Sequence, residues 1–349
     1  MVNGERLRAF RSNTDIVSIA SSGVGALLLG WASWSLLQWG ILDATWNADS
    51  YASCKPSGAC WAVIPRRVGL ILFGLYPAEE RWRAGLAVLL VFAFILLLPW
   101  LGTRRPKRLL AATVGVIAGF LGLLYGGLAG LTYVPTDVWG GLALTLFLYL
   151  IGCLVGMPIG VMLALLRRSR TGWIAGPTAV VVDGVRSLPM VMVLFSIAVL
   201  APLVFPGALA GGKLWRVALA FAFVNGCYQS EIVRAGLQAI PFGQAEAASA
   251  LGLSVIHRMR LVLLPQAIAN GFPATVNLLV AMFKETSIVA VIGFFDFTAS
   301  AQSAYGNAEW ANAYVEVYVF IAAIYFGAAG LIAWLGGRIN RELRKPYER

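Results

Sequence analysis

Charge is scarce in this chain. Asp, Glu, Lys and Arg supply 12% of 349 residues, about half the roughly 25% found in an ordinary soluble domain. With 59% hydrophobic residues and a mean hydropathy of +0.78, the apolar excess is more than a soluble core absorbs, which excludes a water-soluble globule. Histidine is nearly absent. The one present, His257, stands among arginines with no cysteine or carboxylate cluster beside it, so neither a general base nor a metal-ligand spacing is available. A concentrated basic arm is missing too. The net charge of +11 is dispersed in short clusters between apolar runs, which argues against nucleic acid as a partner. Cysteine is limited to four residues. Cys153 and Cys227 fall inside apolar runs and read as packing residues, while Cys54 and Cys60 share a loop where a disulfide is chemically allowed. Spacing does not show whether their Cα atoms approach closely enough, so the bridge stays open at this level.

What is present is a series of long apolar runs. Eight come close to the ~20 residues needed to cross the hydrocarbon, at 15–38, 84–101, 109–132, 140–166, 178–203, 214–237, 266–292 and 313–336. The expected fold is an all-α integral membrane protein with about eight transmembrane helices. Residues 39–83 fit it least; Val68 to Tyr76 is apolar but too short to span, and reads as a re-entrant or interfacial helix. The first run is too long for a signal peptide and leads into no clear cleavage site, so it is expected to be a retained span.

Basic clusters orient the spans. Arg6, Arg8 and Arg11 precede the first; Arg104, Arg105, Lys107 and Arg108 follow the second; Arg167, Arg168 and Arg170 follow the fourth. His257, Arg258 and Arg260 come after the sixth, and Arg338, Arg341, Arg344, Lys345 and Arg349 after the eighth. An even number of spans puts all of these on one side, which the positive-inside rule makes the cytoplasm, together with both termini. Residues 39–83 dissent, with Lys55, Arg66, Arg67, Arg81 and Arg83 on the outer side beside Asp43, Asp49, Glu79 and Glu80. Trp39, Trp100, Trp139 and Trp310 fall near span ends, where interfacial anchors are expected. In the fourth span Gly152, Gly156 and Gly160 recur on one face, which lets another backbone approach closely, and Pro158 is expected to kink the helix.

Between the sixth and seventh spans lies Glu246-Ala247-Ala248, then Gly252, then Val262-Leu263-Leu264-Pro265. The alanines form helix with little bulk, Gly252 can adopt positive φ and end it, and Pro265 suits the first turn of the next helix. This resembles the signature E-A-A-x3-G-x9-I-x-L-P of ABC importer permeases, with Val262 at the usual Ile. The resemblance implies a type I importer core in which residues 243–265 form a cytoplasmic coupling loop seated in an ATPase, with Glu246 helping to fix the docking.

Neighbouring text narrows the family. Glu231 through Pro241 with Gly243-Gln244, Gly141 and Thr145, Arg186-Ser187-Leu188-Pro189, and Lys284-Glu285-Thr286-Ser287 are similar to the polar amino-acid permeases. Ser187-Leu188 departs from the usual Gly-Thr, and Glu285 from a common Asp. Gly58-Ala59-Cys60-Trp61 and Tyr76 through Arg83 look like the extended N-terminal region of the general L-amino-acid permeases. The implied organisation is an N-terminal extension over 1–135 with about three spans and an extracytoplasmic loop at 39–83, a permease domain over 136–340, and a cytoplasmic tail at 341–349. The implied partners are a second permease subunit, two copies of a cytoplasmic ABC ATPase, a periplasmic amino-acid-binding protein and the lipid bilayer of a bacterial inner membrane. ATP and Mg would then be held by the ATPase, and no cofactor or catalytic residue is expected in this chain.

Ionisable residues inside spans are functional candidates. Lys284 and Glu285 suit the carboxylate and ammonium of an amino acid, and Thr286 adjoins them. Helical neighbours diverge by about 100°, so lining the path and structural pairing both stay open. Glu231 with Arg234, and Asp183 with Arg186, stand three apart and read as intrahelical ion pairs with substrate contact as the alternative. One lookalike is set aside: Gly207 through Gly212-Lys213 spells the start of a phosphate loop, but Leu214 replaces its Ser or Thr and no strand precedes it. Two other readings stand beside an amino-acid importer. One is an ABC permease for another solute, such as an opine or osmoprotectant. The other is an ion-coupled secondary transporter, against which counts the lack of a second copy of the loop.

Overall fold

The computed structural model describes residues 3–101, 106–127, 130–169, 171–205 and 211–344. Arg104, Arg105, Arg170, Lys345 and Arg349 of the basic clusters lie outside the described residues, as do 207–210 of the phosphate-loop lookalike and the side chains of Arg6, Arg8, Arg11 and Trp100. Among the described residues there are helices, turns and two isolated bridges, but no strands. Lipid offers backbone groups no partners, and a helix satisfies them internally.

The helices are α1 (Asn3–Leu37), α2 (Val63–Phe73), α3 (Arg81–Leu101), α4 (Pro106–Tyr125), α5 (Gly141–Ile151), α6 (Met157–Arg167), α7 (Gly172–Ser187) and α8 (Met190–Val199). There follow α9 (Ala201–Val204), α10 (Lys213–Gln238), α11 (Phe242–Ala250), α12 (Val255–Arg258), α13 (Leu264–Glu285), α14 (Phe297–Ala304) and α15 (Tyr314–Arg344). Six stretches are long and apolar enough to cross a membrane: Ser18–Leu42, Ala78–Leu98, Lys107–Tyr125, Gly141–Arg167, Val255–Ile292 and Tyr314–Leu343. The expected fifth span is a broken one, Gly172–Ser187 and Met190–Val204 meeting at 103°. The break has a local cause: Pro189 forces Leu188 into the extended region (φ −95°, ψ 142°), which no helix continues through. α10, the expected sixth span, is 26 residues long but is not among the apolar stretches. Its polar residues Asn225, Gln229 and Ser230 are buried in protein and not presented to lipid.

The chain divides into two compact units, Met1–Arg67 with Tyr305–Val317, and Val68–Ala304 with Tyr318–Arg349. In the first, the expected outer loop is a knotted-down segment. Cys54 and Cys60 form a disulfide with Cα atoms 5.7 Å apart, which closes the question left by their spacing. Ala59 donates its N–H to Trp39 O (2.8 Å), Thr45 to Ala59 O (2.7 Å), and Cys60 to the buried carboxylate of Glu316 (2.7 Å). Three of the five basic residues that dissent from the charge rule have acidic partners. Arg66 pairs with Asp49 at 2.5 Å and Arg67 with Glu309 at 3.1 Å, and in the second unit the buried Arg83 pairs with Glu80 at 2.9 Å.

In the second unit α10 is the hub. It packs chiefly against α6 and α13, and also against α7 and α8. The glycine face of the fourth span meets it: an added Cβ on Gly156 would lie 2.6 Å from Ala222 O, and one on Gly160 would lie 2.6 Å from Gln229 Cβ. Two π-type turns interrupt the long spans, Gly152–Gly156 and Met259–Leu263, and each is followed two residues later by a proline, Pro158 and Pro265. A proline has no N–H for the residue four back, and the wider turn absorbs that loss without breaking the helix. Two aromatic expectations are corrected. Trp139 and Trp310 are 2% and 1% exposed, so they are core residues and not interfacial anchors. Trp139 sits edge-on to Tyr125 (4.7 Å) and Phe147 (5.5 Å) and donates its indole N–H to Val134 O.

The segment 293–304 is held by residues singled out in the sequence. Gly141, at φ +60°, donates its N–H to Phe295 O (2.8 Å), and Thr145 Oγ1 accepts from Phe297 N (3.1 Å). Asp296 caps α14, accepting from Thr298 N (3.1 Å) and Ala299 N (3.0 Å). Burial outweighs those hydrogen bonds and pushes the Asp296 carboxyl up to about 6. A carboxyl raised in the folded state stabilises fully below its unfolded value and loses that contribution as pH rises through about 6. Asp296→Asn, which cannot ionise and keeps one of the cap's two acceptor oxygens, should therefore come closest to wild type near pH 4. By pH 8 it should be more stable, by up to about 3 kcal/mol. Melting temperatures of the detergent-solubilised protein at the two pH values measure this, and parallel curves would rule it out.

Candidate functional site

The segment expected to couple to an ATPase runs from α10 through α11 and α12 into α13. Pro241 starts α11 and Gly252 ends it. Gly252 stands at φ +76° and donates its N–H to Ser249 O (2.9 Å), while Leu253 N reaches back to Ala248 O (3.2 Å). These two bonds make the paired closure of a Schellman motif, in which glycine escapes the Cβ penalty of the left-handed region. Ser254 then caps α12, its hydroxyl accepting from His257 N and lying 2.8 Å from His257 Nδ1. Gln266 donates to Gln244 Oε1 (3.3 Å) and Arg258 donates to the Ser249 hydroxyl, so the short helix is fastened at both ends. Pro265 sits in the first turn of α13, as expected, although the helical run reaches back through the π turn to Val255.

The faces of α11 differ in a way that the sequence does not reveal. Ala248 is buried against the chain's own body, whereas Glu246, Ala247 and Gly252 are exposed. Ala248 thus lets α11 sit close to its own scaffold, and the outward face is the one left for a partner. The same segment also exposes apolar side chains the motif does not name: Phe242 (91% exposed), Leu251 (81%) and Ile256 (76%). Their signal was available as large hydrophobics in a loop otherwise made of small and polar residues.

Next to the loop, the two expected intrahelical pairs merge into one network. Arg234 pairs with Glu231 within α10, and Arg186 lies 3.8 Å from Asp183 within α7. Arg186 also reaches Glu231 at 3.6 Å. Arg167, from the end of α6, contacts Asp183 at 2.7 Å and Glu231 at 3.4 Å. Sequence reasoning missed Arg167 because it was counted as one of a basic cluster, and its partners lie 16 and 64 residues away. Three arginines and two carboxylates thus tie the ends of α6, α7 and α10 together.

No salt bridge joins Lys284 and Glu285 among the described residues, although the Lys284 charge acts on the Glu285 carboxyl. Lys284 lines an open cleft of about 550 Å³ with Ser287, Thr298, Tyr318 and Tyr325. Glu285 is half-buried and does not line it. Thr286 is buried and donates its hydroxyl to Phe283 O (2.8 Å). Among the described residues no group of His, Cys, Asp and Glu could hold a metal ion.

Residues 156–345 match the family described as binding-protein-dependent transport system inner membrane component. The chain belongs to that family. The match takes in α6, the arginine network, the whole coupling segment and the Lys284 cleft. This permease is also 37% identical over 301 residues to the inner membrane amino-acid ABC transporter permease protein YhdY of Escherichia coli (strain K12), covering 85% of this chain and 82% of the other. It is 29% identical over 371 residues to the glutamate/glutamine/aspartate/asparagine transport system permease protein BztC of Rhodobacter capsulatus, covering 86% and 85%. A crystal structure of an amino acid ABC transporter with histidines aligns with a TM-score of 0.52 at 33% identity, over 58% of this chain and 92% of that one. The permease is thus a multi-pass inner-membrane transport component and not itself an enzyme.

Proposed function

We propose that this permease is the membrane-spanning subunit of an ATP-driven amino-acid importer working by alternating access. The observation that carries the coupling half of the reading is the outward face of residues 242–256. Phe242, Leu251 and Ile256 are exposed in the same capped segment as Glu246, which supplies apolar surface suited to the groove of a cytoplasmic ATPase. In this reading ATP is bound with Mg and hydrolysed there, and no cofactor is assigned to this chain. Two ATPase copies, a second permease and a periplasmic binding protein complete the assembly. The basic clusters support cytoplasmic termini, and eight spans follow if α10 and the broken helix each cross the membrane. Motion entering at α11 passes to α10 and α13 at its two ends, and so to the arginine network on α10.

Support for amino acids as the substrate class comes from the relatives' names and from a cation that faces a cleft and forms no salt bridge among the described residues. Lys284 presents an ammonium to a cleft whose other polar groups are hydroxyls, a set that matches a substrate carboxylate. Lys284→Met should raise the KM for uptake about tenfold or more while ATPase activity of the complex persists, and Lys284→Arg should recover part of it. Unchanged KM in both variants would return Lys284 to a structural role. The function itself is tested by uptake of labelled amino acids into proteoliposomes holding this chain, its second permease, the ATPase and the binding protein. Uptake that needs both ATP and the binding protein supports the reading. An intact, ATPase-active complex that moves no amino acid redirects it to another solute, such as an opine or osmoprotectant.

A further inference from the structure

Beside the coupling segment lies a groove of about 980 Å³ that substrate transport leaves unexplained. One wall is a single face of α6 and its end: Pro158, Val161, Met162, Leu165, Leu166 and Arg168. The other is formed by Val255, Ile256 and the π turn, with Arg258, Met259, Arg260, Leu263 and Leu264. Its lining combines two chemistries. Most of it is apolar, three arginines join it, of which Arg168 and Arg260 are exposed, and no carboxylate is among the lining residues.

We propose that this groove binds an anionic phospholipid of the cytoplasmic leaflet, with an acyl chain along α6 and the phosphate among Arg168, Arg258 and Arg260. The proposal rests on the membrane orientation given under Proposed function. Three observations favour a lipid over the ATPase. The first is depth. From Arg168 to Pro158 the α6 wall rises about 15 Å, at 1.5 Å per residue, which is half of the roughly 30 Å hydrocarbon core. A water-soluble ATPase does not reach that far into a bilayer, whereas one leaflet's acyl chain fills that depth. The second is charge. Arg168 and Arg260 are exposed, and neither has an ion-pair partner among the described residues. Arg258 is turned in part toward the Ser249 hydroxyl. Arg167, one residue before Arg168, is by contrast fully engaged by Asp183 and Glu231. The third is position: basic pockets between helices at the cytoplasmic surface suit phosphate headgroups. Because Ala245 and Ile256 also line the groove, a bound lipid would touch both α11 and α12 and so meet the coupling segment directly.

Native mass spectrometry of the detergent-purified complex tests this, after equilibration with equal amounts of phosphatidylglycerol and phosphatidylcholine. The expected result is retention of one phosphatidylglycerol per copy of this subunit, about fivefold over phosphatidylcholine. The double variant Arg168→Gln/Arg260→Gln should lose that preference. Met162→Trp, which fills the apolar wall and leaves the arginines, should lose both lipids, and it keeps the question answerable if the double variant fails to assemble. Arg341→Gln, distant in sequence on α15, should retain the wild-type preference. Equal retention of the two lipids by wild type, or unchanged phosphatidylglycerol retention in both groove variants, overturns the proposal. Release of the ATPase or second permease from the arginine variant, with lipid retained, also overturns it and makes the groove a protein interface. Retention is read without transport, so a complex that moves no amino acid but keeps its lipid fails the substrate reading and not this one. Labelling of Arg168→Cys by an impermeant maleimide from the outer face would instead locate the failure in the orientation.

Discussion

Replacing Gly252 by Asp is expected to lower ATP-dependent uptake by at least about tenfold while the complex still assembles in the membrane. The space around the glycine is open, with nothing within 4 Å of an added Cβ, so no clash is involved. The penalty is conformational and electrostatic. At φ +76° an L-residue sits in the left-handed region, at a cost of about 1–2 kcal/mol. A carboxylate at the C-terminal end of α11 also opposes the helix dipole, by about 0.3–1 kcal/mol. Together these disfavour the paired closure through Ser249 O and Ala248 O and let the segment from Leu253 onward leave in another direction. Asn at the same position tolerates the left-handed region and carries no charge, so Gly252→Asn should keep most of the activity. Comparing uptake with ATPase turnover in both variants separates the two contributions. If Gly252→Asp transports normally, the capped turn is not what transmits the ATPase motion.

The smallest possible side chain should do most damage at Gly236. A Cβ there would lie 2.2 Å from the carbonyl oxygen of Ala267 and 3.0 Å from its carbon, where α10 crosses α13. Backbone cannot rotate aside as a flexible side chain does, so the helices must separate. Gly236→Ala is expected to cost about 3 kcal/mol, at the upper end of overpacking effects. A comparison is provided by Gly337 in α15, where nothing lies within 4 Å of an added Cβ. Gly337→Ala should be neutral or stabilising, by up to about 1 kcal/mol, through helix propensity alone. Thermal melts of the solubilised proteins check the contrast, and similar melting temperatures for the two variants would contradict the close α10–α13 contact.

What could be read from the sequence was local or periodic. The short helix around Glu246, its glycine end and the proline that opens the next helix depend on spacing within twenty residues, and the structure shows all three, though not their role. The glycine ladder at 152, 156 and 160 likewise needed only a helical repeat. What failed to show had partners elsewhere in the chain. Arg167 looked like a topology marker until Asp183 and Glu231 were brought to it. Trp139 and Trp310 looked like interfacial anchors because span ends say nothing of what covers them. Ala248 could be recognised as part of the motif, but the direction of its side chain depends on how α11 lies against its scaffold. The disulfide between Cys54 and Cys60 needed a distance, which no spacing supplies.

The polarity buried in α10 has a consequence for how the protein is made. A helix bearing Asn225, Gln229, Ser230, Glu231 and Arg234 would leave the translocon unwillingly on its own. Each charged residue at a span's centre opposes partition into lipid by about 2.5–3.5 kcal/mol, less toward its ends. Its partners are the α6 face synthesised before it and the α13 face synthesised after it, so α10 must wait at the lateral gate or in water until both are available. Insertion of this segment is therefore a cooperative, post-initiation event. Substitutions on α6 or α13 that loosen the contact would surface as degraded, uninserted chains before they surface as slow transport.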